Sequence, residues 1–110
     1  MIGNFKDPPY RSNAWLACVR LLGYCVRCGA ICQPQACHRY QGKGMGIKAH
    51  DCYSWAGCDP CHVEVGNGKT YSRDDRRSLE IELSDRTLLA MAKRGFLKPD
   101  PKAENRSILQ

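Results

Sequence analysis

The sequence predicts a small α+β domain, with a short helix near its start, a hairpin in a loop-rich middle and a longer helix toward its end. Three observations carry that expectation. Apolar residues recur at helical spacing over residues 12–22 and again over 72–95. Residues 24–61 show no such period and hold turn signals instead. Two Cys-x-x-Cys pairs, Cys25 with Cys28 and Cys58 with Cys61, bracket that middle third, so if the pairs meet, the chain between them must fold back on itself.

The elements follow in order. After Pro8 and Pro9, Ser12 or Asn13 can cap a helix whose Trp15, Leu16, Val19 and Leu22 share one face. Gly23 ends it just before the first cysteine pair. Turn residues then dominate, from Cys28-Gly29 and Pro34 to the run Gln41-Gly42-Lys43-Gly44-Met45-Gly46. The second helix starts at Ser72, with Asp75 at capping-box spacing, and carries an apolar stripe of Leu79, Leu83, Leu88, Met91 and Ala92. Its Arg73, Arg76 and Arg77 belong to a solvated face. Gly95 is the expected C-cap and Pro99 the stop. Residues 1–100 read as a single domain and 101–110 as a flexible tail.

At 110 residues and 43% hydrophobic content the chain has room for one modest core, and chains of this size are often stapled by disulfides or metal. Eight cysteines could serve either way. The opening MIGNFKDPPYRSN has no apolar run of the kind a signal peptide needs, and no segment approaches the roughly 20 apolar residues of a membrane span. The expectation is a cytoplasmic protein without a membrane partner, in a reducing compartment where paired cysteines bind metal more often than they form disulfides. A disulfide-stapled secreted domain is the alternative. Seventeen Lys and Arg against 11 Asp and Glu give a formal charge of +6, which suits a polyanionic partner without identifying one.

Cys25-Val26-Arg27-Cys28-Gly29 has the form of a zinc knuckle: two thiolates two residues apart can reach one ion, and the following glycine permits the turn. Cys58-Asp59-Pro60-Cys61 repeats the spacing, so the expectation is a closed tetrahedral zinc site of four thiolates. Cys58-Asp59-Pro60-Cys61-His62 also spells the c-type haem attachment signal, but that reading leaves the first pair unexplained and normally accompanies export, so no haem is expected. Cys18 falls inside a helical apolar pattern, as a small hydrophobe does. Cys32 and Cys52 are open between free thiols and a second metal site.

All three histidines, His38, His50 and His62, lie between the first cysteine pair and the residue after the second. Metal-assisted phosphodiester hydrolysis needs an imidazole to deprotonate water and a divalent ion to stabilise developing charge. His62 follows a zinc ligand, and a hairpin between the pairs can place His38 opposite it.

Together these segments resemble the HNH nuclease superfamily, with its ββα-metal core in a treble-clef zinc fold, and within it the small phage and prophage nucleases, including the RecA-dependent Ref type. The resemblance is carried by WLACVRLLGYCVRCG, ACHR, GKGMGIKAHD and CDPCH. It implies a metal-dependent DNA endonuclease of phage or prophage recombination or DNA processing, working inside a bacterial host with DNA and a recombinase filament as partners. His38 matches the general base, Asp51 the residue that orients it, and His62 a ligand of a catalytic Mg2+ or Mn2+. Arg39, Lys43 and Lys48 fall where contacts to the DNA backbone are expected, and Gly42, Gly44 and Gly46 would let the loop approach a duplex.

Two positions depart from the pattern. Cys37 stands before the base where Asp or His is common, and Gly66 stands where many relatives carry a further histidine. A soft thiolate suits magnesium poorly. His50 or Asp51 is then a further candidate ligand, and a non-catalytic zinc-binding module for DNA or protein is the alternative function.

Overall fold

In a computed structural model, residues 8–39 and 49–105 are described. They form helix α1 (Asn13–Arg20), strands β1 (Gln35–His38) and β2 (Ser54–Gly57), helix α2 (Asp59–Gly66) and helix α3 (Arg73–Lys93). A 3-10 turn follows at Ala103–Asn105. The architecture is a small α+β fold of three helices and a two-stranded sheet around a four-cysteine cluster.

The caps explain where the helices start and stop. Ser12 caps α1, its hydroxyl accepting from the Trp15 N–H at 3.0 Å. Ser72 caps α3, accepting from the Asp75 N–H at 3.1 Å, and Asp74 and Asp75 place negative charge against the positive end of the helix. At the other end Gly95 takes φ +79°, its N–H bonds Ala92 O and the Phe96 N–H bonds Met91 O, which closes α3 with a Schellman motif. Helix α2 begins inside the second cysteine pair, with Cys58 as N-cap and Pro60 in the first turn, where no helical N–H is needed.

β1 and β2 are antiparallel, with Gln35 opposite Gly57, Ala36 opposite Ala56, Cys37 opposite Trp55 and His38 opposite Ser54. The two-residue period puts Gln35, Cys37, Trp55 and Gly57 on one face and Ala36, His38, Ser54 and Ala56 on the other. Every residue of β2 is buried, so both faces are covered there, by α1 and α3. A two-stranded ribbon has little stability alone, and here its support comes from the helices and the cysteine cluster.

Trp55 is the largest fully buried side chain, packed with Val19, Leu22, Cys37, Val65, Leu83 and Met91. Gly57 makes room for it: a Cβ at Gly57 would lie 2.3 Å from Trp55 Cζ3. The buried row of α3 differs from the expected stripe. It runs Glu80, Leu83, Ser84, Thr87 and Met91, with Leu79 half-buried and Leu88 and Ala92 exposed. The cause is Thr87, whose hydroxyl donates to Leu83 O at 2.9 Å and accepts from the Ala56 N–H at 3.0 Å. Turning that hydroxyl toward the sheet satisfies a buried strand amide, and it rotates Leu88 out into solvent.

No described helix is long and apolar enough to cross a membrane. The glycine-rich run with Gly42, Gly44, Gly46, Lys43 and Lys48, and the last part of the expected tail, lie outside the described residues.

Candidate functional site

The first cysteine pair sits in a tight loop pinched shut at its base. Tyr24 and Ile31 form an isolated antiparallel bridge, the Cys25 N–H bonds Ala30 O, and the Cys32 N–H bonds Gly23 O. The Gly29 N–H reaches Cys25 O at 2.8 Å, a closure that needs the left-handed backbone at Gly29, φ +81°. The Val26 N–H bonds Ala56 O in β2, and Arg86 of α3 donates to Val26 O at 3.1 Å. Those two bonds set the loop beside the end of β2, where the second pair begins.

The result is one cluster: the sulfurs of Cys25, Cys28, Cys58 and Cys61 all lie within 4.8 Å of one another, with Cys28 and Cys58 3.7 Å apart. Four thiolates around a tetrahedral zinc would be separated by about 3.8 Å, given Zn–S bonds near 2.3 Å. The donor set therefore fits a metal ion such as zinc, and among the described residues it is the one group of three or more ligand side chains so arranged.

The electrostatics of the cluster fit the same conclusion. Burial pushes the Cys25 thiol up, yet hydrogen bonds from the Cys28, Cys58 and Arg27 backbone outweigh it and carry the group down to about 6. Burial raises Cys61 to about 12. Sulfurs this close cannot all ionise alone; a divalent cation is what allows it. Arg27 already supplies one positive charge. It donates to Cys61 Sγ at 3.3 Å and to Tyr71 Oη at 2.8 Å and pairs with Glu64 at 2.7 Å, which fastens α2 to the first cysteine loop.

The three histidines occupy different settings. His38, at the exposed end of β1, meets Asp51 at 2.9 Å between Nε2 and Oδ1. Asp51 is buried, and its other partners are Arg11 Nη1 at 2.9 Å on Oδ1 and the Ser12 N–H at 2.7 Å on Oδ2. The hydrogen bond from His38 and that from the Ser12 backbone hold its carboxyl down to about 2, so it is an anion at neutral pH. An ionised carboxylate can only accept, so His38 carries a proton on Nε2, and in the neutral ring the lone pair is on Nδ1. Arg11, His38, Ala49 and Asp51 line a pocket of about 230 Å³.

His50 uses Nδ1 to accept the Tyr10 N–H at 2.7 Å, and its ring meets Tyr53 edge-on. That nitrogen is committed to holding the segment before α1, and the ring is placed beside Asp51 without bonding it.

His62 lies on α2 and bonds Gln35. The Gln35 amide donates through Nε2 to Asp59 Oδ1 at 3.0 Å, so its oxygen faces His62 Nδ1 at 2.8 Å. Nδ1 is then the donor, and Nε2 is free to bind a metal or a proton. His62 lines a separate pocket with Val63, Gly66 and Asn67. The structure thus joins His38 to Asp51 but does not join either to His62, because Gln35 and His38 project from opposite faces of β1.

Arg39 lies over the Tyr53 ring, 4.1 Å from its centroid, and donates to Ser84 Oγ at 3.3 Å. Cys37 is buried against Trp55, and burial pushes its thiol up to about 12. It is a core thiol and offers no thiolate to a metal near His38. Cys18 and Cys32 pack half-buried against the core, and Cys18, Cys32 and Cys52 are all free. Arg11 is the member of the pocket that sequence reasoning missed; nothing in its local pattern distinguishes it from the other surface arginines. No family profile, no curated protein and no solved structure matches this chain.

Proposed function

We propose that the protein is a metal-dependent endonuclease that hydrolyses DNA phosphodiester bonds, built in the manner of the HNH nucleases on a structural zinc at Cys25, Cys28, Cys58 and Cys61. The observation that carries the reading is the His38–Asp51 pair: a buried carboxylate fixes the tautomer of the neutral imidazole, and both residues line an open pocket. The order strand, strand, helix between and after the cysteine pairs supports the likeness to a ββα core.

In this reading His38 Nδ1 takes the proton from the water that attacks phosphorus, and Asp51 stabilises the imidazolium that results. A bound Mg2+ or Mn2+ would supply charge stabilisation at the leaving 3′ oxygen; His62, the expected ligand, has a free Nε2 but lines a separate pocket from His38. Arg39 remains the described candidate for contact with the DNA backbone, its guanidinium already braced on Tyr53.

A second reading, a non-catalytic zinc-binding module for DNA or protein, is favoured by the separation of His62 from the His38–Asp51 pair. A plasmid-nicking assay with magnesium or manganese separates the two. The nuclease reading expects metal-dependent nicking by the wild type and its loss in His38→Ala. Equal nicking by both proteins, or none by either, favours the binding module.

A further inference from the structure

We infer that Arg11 is the residue that grips a phosphodiester group of the nucleic-acid backbone in the pocket beside His38. The inference rests on the reading of that pocket as the reaction site and adds a binding residue to it.

The geometry of the guanidinium carries the case. Arg11 spends one nitrogen on the protein: Nη1 donates to Ala49 O at 2.7 Å and to Asp51 Oδ1 at 2.9 Å. Those bonds fix the plane of the group and use both Nη1 hydrogens. The Nε and Nη2 hydrogens have no partner among the described residues, the side chain is 42% exposed, and Arg11 lines the pocket. The Nε–Nη2 edge of a guanidinium is the fork that matches two oxygens of a phosphate.

Asp51 is the obvious objection, since a carboxylate beside an anion site repels its ligand. Here both of its oxygens are already engaged, Oδ1 by His38 and Arg11 and Oδ2 by the Ser12 N–H. Its charge is spent on orienting the two residues that face the pocket, and it is itself buried. Arg11 and His38 both line the pocket, the one with an unpartnered Nε–Nη2 edge and the other, when neutral, with a nitrogen lone pair. The first suits non-bridging phosphate oxygens and the second a water or hydroxyl proton, so a phosphodiester held on Arg11 would bring its phosphorus beside the candidate base.

The test is a titration read on the histidine ring signals by NMR, without added divalent cation, with inorganic phosphate and a deoxydinucleotide as probes and chloride at matched ionic strength as control. Both probes should shift His38 saturably and leave His62 unmoved. Arg11→Gln should weaken the binding of both by about tenfold, as expected for losing a charged bidentate contact. Arg11→Lys, which keeps the charge without the fork and guards against a misfolded Gln variant, should weaken the dinucleotide by at least about threefold. Wild-type affinity in Arg11→Lys, shifts with inorganic phosphate alone, or a His38 that does not move would overturn the inference. Phosphate binding at Arg11 in a protein that nicks no DNA would instead sink the nuclease reading and leave the subsite standing.

Discussion

Asp51 accepts the Ser12 backbone N–H at 2.7 Å, so the carboxylate that holds His38 is also the anchor for the residue that caps α1. Imidazole, carboxylate and helix start therefore form one unit. Loss of the charge on Asp51 would weaken its contacts to His38, Arg11 and the Ser12 N–H together.

That linkage has a pH signature. The Asp51 carboxyl is held down to about 2, first by His38 and then by the Ser12 N–H, below the roughly 3.9 of an unfolded aspartate. A depressed carboxylate contributes stability that is fully present above the unfolded value and is lost as pH falls toward the folded one. Asp51→Asn should lower stability at neutral pH and flatten the loss of stability between about pH 4 and pH 2. Denaturant melts across that range check it; parallel curves for variant and wild type would show that the carboxylate is not held as described.

A single NMR spectrum tests the histidine assignments. At about pH 8, where free imidazole is neutral, His38 and His50 should carry the proton on Nε2 and His62 on Nδ1. Long-range nitrogen–proton correlations report this directly. Gln35→Ala should move His62 toward the mixed tautomers of a free ring and leave His38 unchanged.

Gly57→Ala should destabilise the fold by about 1–3 kcal/mol, the usual range for overpacking a core. The added methyl would fall on the Trp55 ring, which is fully buried and has no room to retreat. Thermal denaturation followed by tryptophan fluorescence measures the loss. A melting point equal to the wild type would mean that the indole does not lie over Gly57.

Cys37→Asp would place an acidic residue before His38, but no gain in activity is expected. The position faces Trp55 in the core, on the opposite side of β1 from His38. Burying an unpaired carboxylate there should cost roughly 3–5 kcal/mol. Chemical denaturation and the nicking assay together check the pair of outcomes. A stable variant with raised nicking would place the residue at the metal instead.

Much of this was legible in the chain because it was written locally. Ser12, Ser72 with Asp75, and Gly95 act through bonds spanning three to five residues, and the two Cys-x-x-Cys pairs announce a shared ligand whatever the fold between them. The expected pairing of His38 with His62 depended on strand register, which a one-residue slip reverses, and that register rests on the packing of Trp55, whose ring meets His62 edge-on, and of Thr87. Thr87 itself reads as an interruption in an apolar stripe, although its hydroxyl serves a strand amide 31 residues away. Arg11 acquires its meaning only from Asp51 and Ala49, across about forty residues of chain.

Four cysteines from the two ends of the middle segment are placed to hold one metal ion, and the fold of the segment between them would depend on it. Elemental analysis of the purified protein, paired with circular dichroism during chelation, addresses this most directly. One zinc per chain, lost with the folded signal on chelation and much reduced in Cys28→Ser, is the expected result. A metal-free protein that stays folded with its thiols oxidised in pairs would contradict it.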